Sequence, residues 1–299
     1  MRAGLAFGVL SMVCTLLGCT ASTREADELV VTPPVVETPH TAARRDTEVM
    51  SGSRMQALPT GQCLVRDDLD VLFIGNSYTI AHDLHLQVSQ MADAAGLHVR
   101  TRRLALPGKK LAYHARRSKV RRALASRDWD FVVIQGQSLE PLSTPEGFRT
   151  SGSELAQMVW DAGATPIFFE TWPRKEGHSI YTRRRGLSGG SPMAMYEAIH
   201  RAYADLAFET SAEIVPAGQA WMEMTRRAPT VNLYDTDLHH PGRRGSYLNA
   251  SLMFAQLPNV SPVGNVGKPL VRIEPDVAQM IQEIAAATVR PECEHVPPV

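Results

Sequence analysis

The sequence predicts an α/β fold, a parallel sheet covered by helices on both faces. Three observations carry that prediction. Short apolar runs alternate with longer stretches of helical period, the pattern of consecutive strand–helix units. The runs are apolar at nearly every position, as strands buried on both sides are. Polar residues with chemical potential cluster just after the runs, where such sheets bind their ligands.

The first strand is expected over residues 69–74, bounded by charge and then by Gly75, followed by a helix over 81–96 with apolar residues at Leu84, Val88, Met91 and Ala95. A second strand over 98–106 ends at Pro107-Gly108, and a helix follows over 110–126. Phe131-Val-Val-Ile134 centres a third strand over 130–135. A helix over 147–163 and a fourth strand over 165–171 come next, then a long polar loop over 173–191. A helix over 193–209, a short strand over 213–216 and a helix around Trp221 precede a loop over 234–244. The last elements are helices over 245–256 and 276–289 with a strand-like segment over 269–273 between them.

Ahead of this lies a different kind of sequence. Residues 1–18 carry Arg2 and then an almost unbroken apolar segment too short to span a membrane comfortably, which reads as an export signal. Its ending, Leu16-Leu17-Gly18-Cys19, resembles a bacterial lipobox, so cleavage would leave Cys19 as an acylated N-terminus anchoring the protein to a membrane facing the periplasm or cell surface. A plain secretory peptide cut elsewhere is the simpler alternative. Residues 19–62, rich in Thr, Pro, Glu and Arg, read as a disordered tether spanning roughly 35–40 Å. One sizeable domain is then expected over 63–299.

Of the four cysteines, Cys14 and Cys19 belong to the signal, which leaves Cys63 and Cys293 near the two ends of the domain. Outside the cytoplasm such a pair is expected to be oxidised to a disulfide, against the alternative of two buried thiols. The 31 basic and 31 acidic residues balance, so no polyanion-binding bias appears, and the cluster Arg116–Arg122 reads as a solvated helix face. Nucleic acid is excluded as a partner by that balance, by export and by the lack of interleaved aromatics.

The chemistry sits at the strand ends. Ser77 falls between a strand and a helix, where unpaired N–H groups favour developing negative charge. Gly108 lets its backbone N–H approach a substrate oxygen closely. Gln135-Gly136-Gln137-Ser138 offers amides after the third strand. In the loop Asp235-Thr-Asp237-Leu-His239-His240-Pro-Gly242, a three-residue spacing lets Asp237 meet Nδ1 of His240 and leaves Nε2 to deprotonate a serine.

Phe73-Ile-Gly-Asn-Ser77-Tyr-Thr, Gly108, the Gln-Gly-Gln-Ser turn and Asp237-x-x-His240-Pro together resemble the SGNH (GDSL-type) hydrolases over residues 69–257. The resemblance implies a flavodoxin-like three-layer α/β/α sandwich with about five strands, and a serine esterase that uses no cofactor and no metal. It assigns Ser77 as nucleophile, His240 as base and Asp237 as its partner, with an oxyanion hole from Ser77, Gly108 and Gln135. Two features depart from the pattern: Gly-Asn-Ser replaces Gly-Asp-Ser, and the third-loop Asn is absent. Gln-Gly-Gln-Ser is similar to the Gln-Gly-Glu-Ser turn of carbohydrate acetylesterases, which favours Gln135 as third donor with Gln137 and Ser138 as alternatives. A small acyl ester, such as an O-acetyl group on a carbohydrate, is the expected substrate of a monomer. A lipid or thioester hydrolase and a silent, surface-anchored glycan-binding module are the rivals.

Other residues take plainer readings. Gly186-Leu-Ser188-Gly-Gly190 matches a nucleophile-elbow pattern but follows no strand, so it reads as loop. Asp235, Asp237, His239 and His240 have no catalytic metal-ligand spacing with His178 or His200. His82 and His85 read as surface or cleft-lining residues, and Trp172 as a platform for a sugar ring or a pocket wall.

Overall fold

The structure, a computed structural model, describes residues 63–265 and 272–294. The export segment, Cys19 and the tether through 62 lie outside the described residues. In chain order the elements are β1 (Asp68–Gly75), α1 (Ser77–Ile80), α2 (Leu84–Ala94), β2 (His98–Ala105), α3 (Leu111–Ala115), α4 (Ser118–Leu124) and β3 (Phe131–Ile134). There follow α5 (Glu140–Ser143), α6 (Pro145–Asp161), β4 (Thr165–Phe169), α7 (Ile180–Arg183), α8 (Arg185–Ser188), α9 (Pro192–Thr210) and β5 (Glu213–Val215). Last come α10 (Ala217–Arg227), α11 (Arg243–Gln256) and α12 (Pro275–Val289).

Among the described residues, five strands form one parallel sheet in the order β2-β1-β3-β4-β5. Because β1 is flanked by β2 and β3, successive connections leave it in opposite directions, and the crevice of this fold opens at its carboxyl end. Register aligns Gly75 with Ala105, Ile74 with Ile134, and Ile134 with Phe168, so the loops after four strands emerge along one edge. Alternate residues of the buried runs feed two cores. Val71, Phe73, Val133, Ile167 and Phe169 pack with α2, α10, α11 and α12, whereas Leu72, Ile74, Val132, Ile134 and Phe168 pack with α3, α4, α6 and α9. This is the three-layer α/β/α sandwich expected from the sequence.

The differences are local. The helix expected from residue 81 starts at Leu84, because His82 and Asp83 adopt left-handed backbone (φ 50° and 51°) within the short turn over Ala81–Asp83. The helix expected over 110–126 is split by an extended Arg117 (ψ 124°) into α3 and α4, with the backbone N–H of Leu111 held by the Glu140 carboxylate at 3.1 Å. The loop over 173–191 contains the single-turn helices α7 and α8. Of the strand-like segment 269–273, residues 269–271 lie outside the described residues, and Arg272 and Ile273 are irregular. Among the described residues, no helix is long and apolar enough to cross a membrane.

Cys63 and Cys293 form a disulfide (Cα–Cα 5.2 Å) across 230 residues of chain. The same corner is fastened by backbone hydrogen bonds from Ser261 to Cys293 (2.7 Å) and from Cys293 to Asn259 (3.2 Å). Closing so long a loop stabilises chiefly by restricting the unfolded chain. Replacing both cysteines by Ser is expected to cost about 2–5 kcal/mol, read as a lower urea midpoint than that of the oxidised protein; equal midpoints would show that the link contributes nothing.

Candidate active site

The site is assembled at the exit of β1. A Cβ on Gly75 would stand 2.2 Å from Thr79 Oγ1 and 2.8 Å from Gln135 Oε1, so only glycine lets these side chains close over the strand end. Asn76, 1% exposed, then makes four hydrogen bonds besides the one its carbonyl accepts from Ile80 N. Its N–H donates to Gln135 Oε1 (3.2 Å), its Nδ2 donates to the carbonyls of Lys109 and Gly136 (3.2 Å each), and its Oδ1 accepts from Tyr78 N (3.2 Å). One side chain thereby ties the loops after β1, β2 and β3 together and caps the turn that carries Ser77. The sequence marks Asn76 only as a departure from Gly-Asp-Ser, and its clamping role emerges only from the folded loops.

The second half of the site is the loop between α10 and α11. Hydrogen bonds from Asp235 N to His240 O (2.9 Å) and from Leu238 N to Asp235 O (3.1 Å) close it into a turn. Leu238 sits at φ 62°, backbone that a branched side chain rarely adopts. The turn folds Asp237 back so that its Oδ1 accepts from the N–H groups of His239 (3.0 Å) and His240 (2.9 Å). Its Oδ2 lies 2.5 Å from His240 Nδ1, and His240 Nε2 lies 2.8 Å from Ser77 Oγ. Hydroxyl, imidazole and carboxylate thus form one hydrogen-bonded chain, with Ser77 and His240 separated by 163 residues of sequence. Partial burial pushes the Asp237 pKa up, but the bonds from His240 and from the two backbone N–H groups outweigh it and hold the carboxyl well below the usual range. Asp237 therefore stays ionised well into acid.

Tyr78 braces this chain. Its ring stands edge-on to His240 (5.3 Å, 72°) and stacks on Trp172 (4.5 Å, 9°), which in turn stacks on Trp221 (4.1 Å, 5°). Trp221 Nε1 donates to Asn249 Oδ1 (2.9 Å), and Trp172 Nε1 donates to the carbonyl of His239 (3.2 Å). With both faces of Trp172 covered and none of it exposed, the reading of this residue as a sugar platform is corrected: it is a packing element that seats the Asp237–His240 loop. Arg174, also buried, donates to the hydroxyls of Tyr78 and Ser138 rather than to a carboxylate. Burial pushes the Tyr78 phenol up to about 12 against the opposing charge of Arg174, so it remains a neutral hydroxyl.

The oxyanion assignments fare unequally. Gly108 lies exposed at φ 69° on a loop fastened to β1 by Leu106 N to Gly75 O (3.1 Å) and by Asn76 to Lys109 O. Among the described residues, the backbone N–H groups of Ser77 and Gly108 have no hydrogen-bond acceptor. Gln135 is a correction. Its side chain is fully buried, with Oε1 accepting from Asn76 N and Thr79 Oγ1 (2.8 Å) and Nε2 donating to the Gly136 carbonyl, so the amide is engaged beneath the cleft rather than exposed in it. Ser138 is buried under Arg174, and Gln137 bonds back to Ser138 and Leu139 N. Ser188 is buried in α8, with its hydroxyl bonded to the Ile180 carbonyl (3.2 Å) and no strand before it. His82 Nδ1 meets Ser246 Oγ (2.8 Å), away from the Ser77 chain, and His85 packs half-buried beside Phe73.

Asn76→Asp, the residue usual in the Gly-Asp-Ser pattern, would set a carboxylate against two carbonyl oxygens. It is expected to cost about 2 kcal/mol or more in urea unfolding. An unchanged midpoint would refute the clamp.

No family model and no curated protein matches the sequence. Solved structures do. A candidate SGNH hydrolase from Slackia heliotrinireducens is 28% identical with a TM-score of 0.52, covering 61% of this chain and 95% of that one. A DUF4886 family protein from Bacteroides uniformis is 19% identical with a TM-score of 0.65, covering 77% and 98%. An acetyl xylan esterase is 13% identical with a TM-score of 0.51, covering 62% and 98%. With five parallel strands in the order β2-β1-β3-β4-β5 and the Gly-Asn-Ser turn at the exit of β1, the chain has the fold of the SGNH hydrolases.

Proposed function

We propose that the protein is a serine esterase that hydrolyses a small acyl ester through an acyl-Ser77 intermediate. The observation that carries this reading is the unbroken contact from Ser77 Oγ through His240 to Asp237 at the carboxyl end of β1. His240 Nε2 takes the hydroxyl proton as Ser77 Oγ attacks the ester carbonyl. The oxyanion forms against the free N–H groups of Ser77 and Gly108, donors fixed before the reaction. His240 then returns the proton to the departing alcohol. A water enters, gives its proton to His240 and attacks the acyl carbonyl, and Ser77 leaves with that proton as the acid is released. Ionised Asp237 keeps Nδ1 of His240 protonated and supports the imidazolium in both halves.

An O-acetyl group on a carbohydrate is the substrate favoured by the Gln-Gly-Gln-Ser turn and by the likeness to an acetyl xylan esterase. Export and anchoring through an acylated Cys19 complete the reading, supported by the Leu16–Cys19 sequence and by a disulfide of the kind formed in oxidising compartments.

Hydrolysis of p-nitrophenyl acetate by the full chain tests the chemistry. Ser77→Ala is expected to abolish it and Ser188→Ala to leave it intact; the reverse would move the nucleophile to α8. Asp237→Asn is expected to lower kcat by about three to four orders of magnitude, and a loss below tenfold would remove Asp237 from the mechanism.

A further inference from the structure

Asp237 Oδ2 has a second imidazole beside it. His239 Nε2 lies 3.2 Å from it, and the donor atoms of Asp237, His239 and His240 all fall within 4.8 Å of one another. We propose that these three residues form an inhibitory site for one divalent transition cation of the Zn2+ class; that binding silences hydrolysis rests on the esterase reading above.

Two donors bound at 2.0–2.1 Å to a tetrahedral ion stand about 3.3 Å apart. The Asp237–His239 edge is therefore already at ligand spacing. His240 Nδ1, at 2.5 Å from the same oxygen, reaches it by a slight opening of the Asp237–His240 contact. Two imidazoles and a carboxylate suit zinc, and an exposed rim leaves its fourth position to water. The three side chains are 41% (Asp237), 26% (His239) and 31% (His240) exposed, so an ion arrives without unfolding the loop. The turn through Leu238 at φ 62° carries Asp237 and His239 to the same side beforehand. His239 Nδ1 points to the Tyr78 hydroxyl (3.4 Å), the outer partner that orients a ligating imidazole. The charge of Arg174 behind Tyr78 opposes a second cation, which makes the site reversible rather than structural.

His239 takes no part in the Ser77 chain, but with an ion bound its neighbour is disabled. Each neutral imidazole keeps its one proton on the nitrogen facing away from the ion: Nδ1 of His239, toward Tyr78, and Nε2 of His240, toward Ser77. No proton is gained or lost, yet His240 now presents a donor to Ser77 Oγ and cannot accept its proton. Asp237, bound to the ion, no longer orients the ring.

The test uses the full chain stripped with a chelator. Bound zinc is counted by equilibrium dialysis while p-nitrophenyl acetate hydrolysis is followed in parallel. Wild type is expected to bind one equivalent and lose at least about tenfold in rate, with EDTA restoring it and Mg2+, which prefers an all-oxygen shell, having no effect. His239→Asn is expected to hydrolyse the ester as wild type does while binding zinc at least about tenfold more weakly. Unchanged zinc affinity in His239→Asn, or unchanged inhibition of it, overturns the site. Because Ser77→Ala should bind zinc as wild type does, a chain that binds zinc through His239 yet never hydrolyses esters would keep this site and remove the esterase reading instead.

Discussion

The arrangement depends on the buried side chain of Asn76. It stands where three strand-end loops meet, donates to two of them and caps the turn of the third. Sheets fix the direction in which loops depart, but not the distance between them a few residues later. Hydrogen bonds between loops do that, and a buried amide with all its groups satisfied is well suited to it, since leaving any of them unpaired is costly. The turn that bears the serine and the loop that bears Gly108 are thereby tied by contacts that do not take part in the chemistry.

The aromatic column supplies the other constraint. Tyr78 follows the serine directly, and its ring begins a stack that runs through Trp172 into Trp221 and the α11 side chain of Asn249. The loop bearing Asp237 and His240 is bonded to that column through Trp172 Nε1 and, at its base, through the Tyr234 hydroxyl to the Pro173 carbonyl (3.0 Å). Nucleophile and base, far apart in the chain, are indexed to the same set of flat rigid groups. Precision of this kind is what a proton transfer over 2.8 Å requires.

Much of this was legible in the sequence, for identifiable reasons. Strands buried on both faces are continuous apolar runs, so β1 and β3 could be placed to within a residue or two. Ser77, Asp237 and His240 were legible because a strand–turn–helix and a three-residue Asp–His spacing are local patterns. Gln135 was not, because its amide is claimed by Asn76 and Thr79 through contacts that only the folded chain creates. The same holds for Trp172: an aromatic at a strand end looks alike in sequence whether its faces are open or covered, and here both are covered. The break at His82 and Asp83 carries no Gly or Pro to announce it, and left-handed backbone at such residues is set by what surrounds them. Arg174 carries a weaker signal, the Trp-Pro-Arg run that begins three residues after the end of β4.

Among the described residues, the two margins of the sheet differ from its centre in length and in charge. β5 is only three residues long, and β2, the longer margin, carries Arg100, Arg102 and Arg103. Arg100 is paired with Asp68 and Asp70 on β1, and Arg102 reaches Ser126, so these cations are spread along the open strand. A neighbouring polypeptide that tried to continue the ladder would have to strip water from a row of guanidinium groups. A border of that composition is a poor template for a further strand, whether from this chain's own copies or from another.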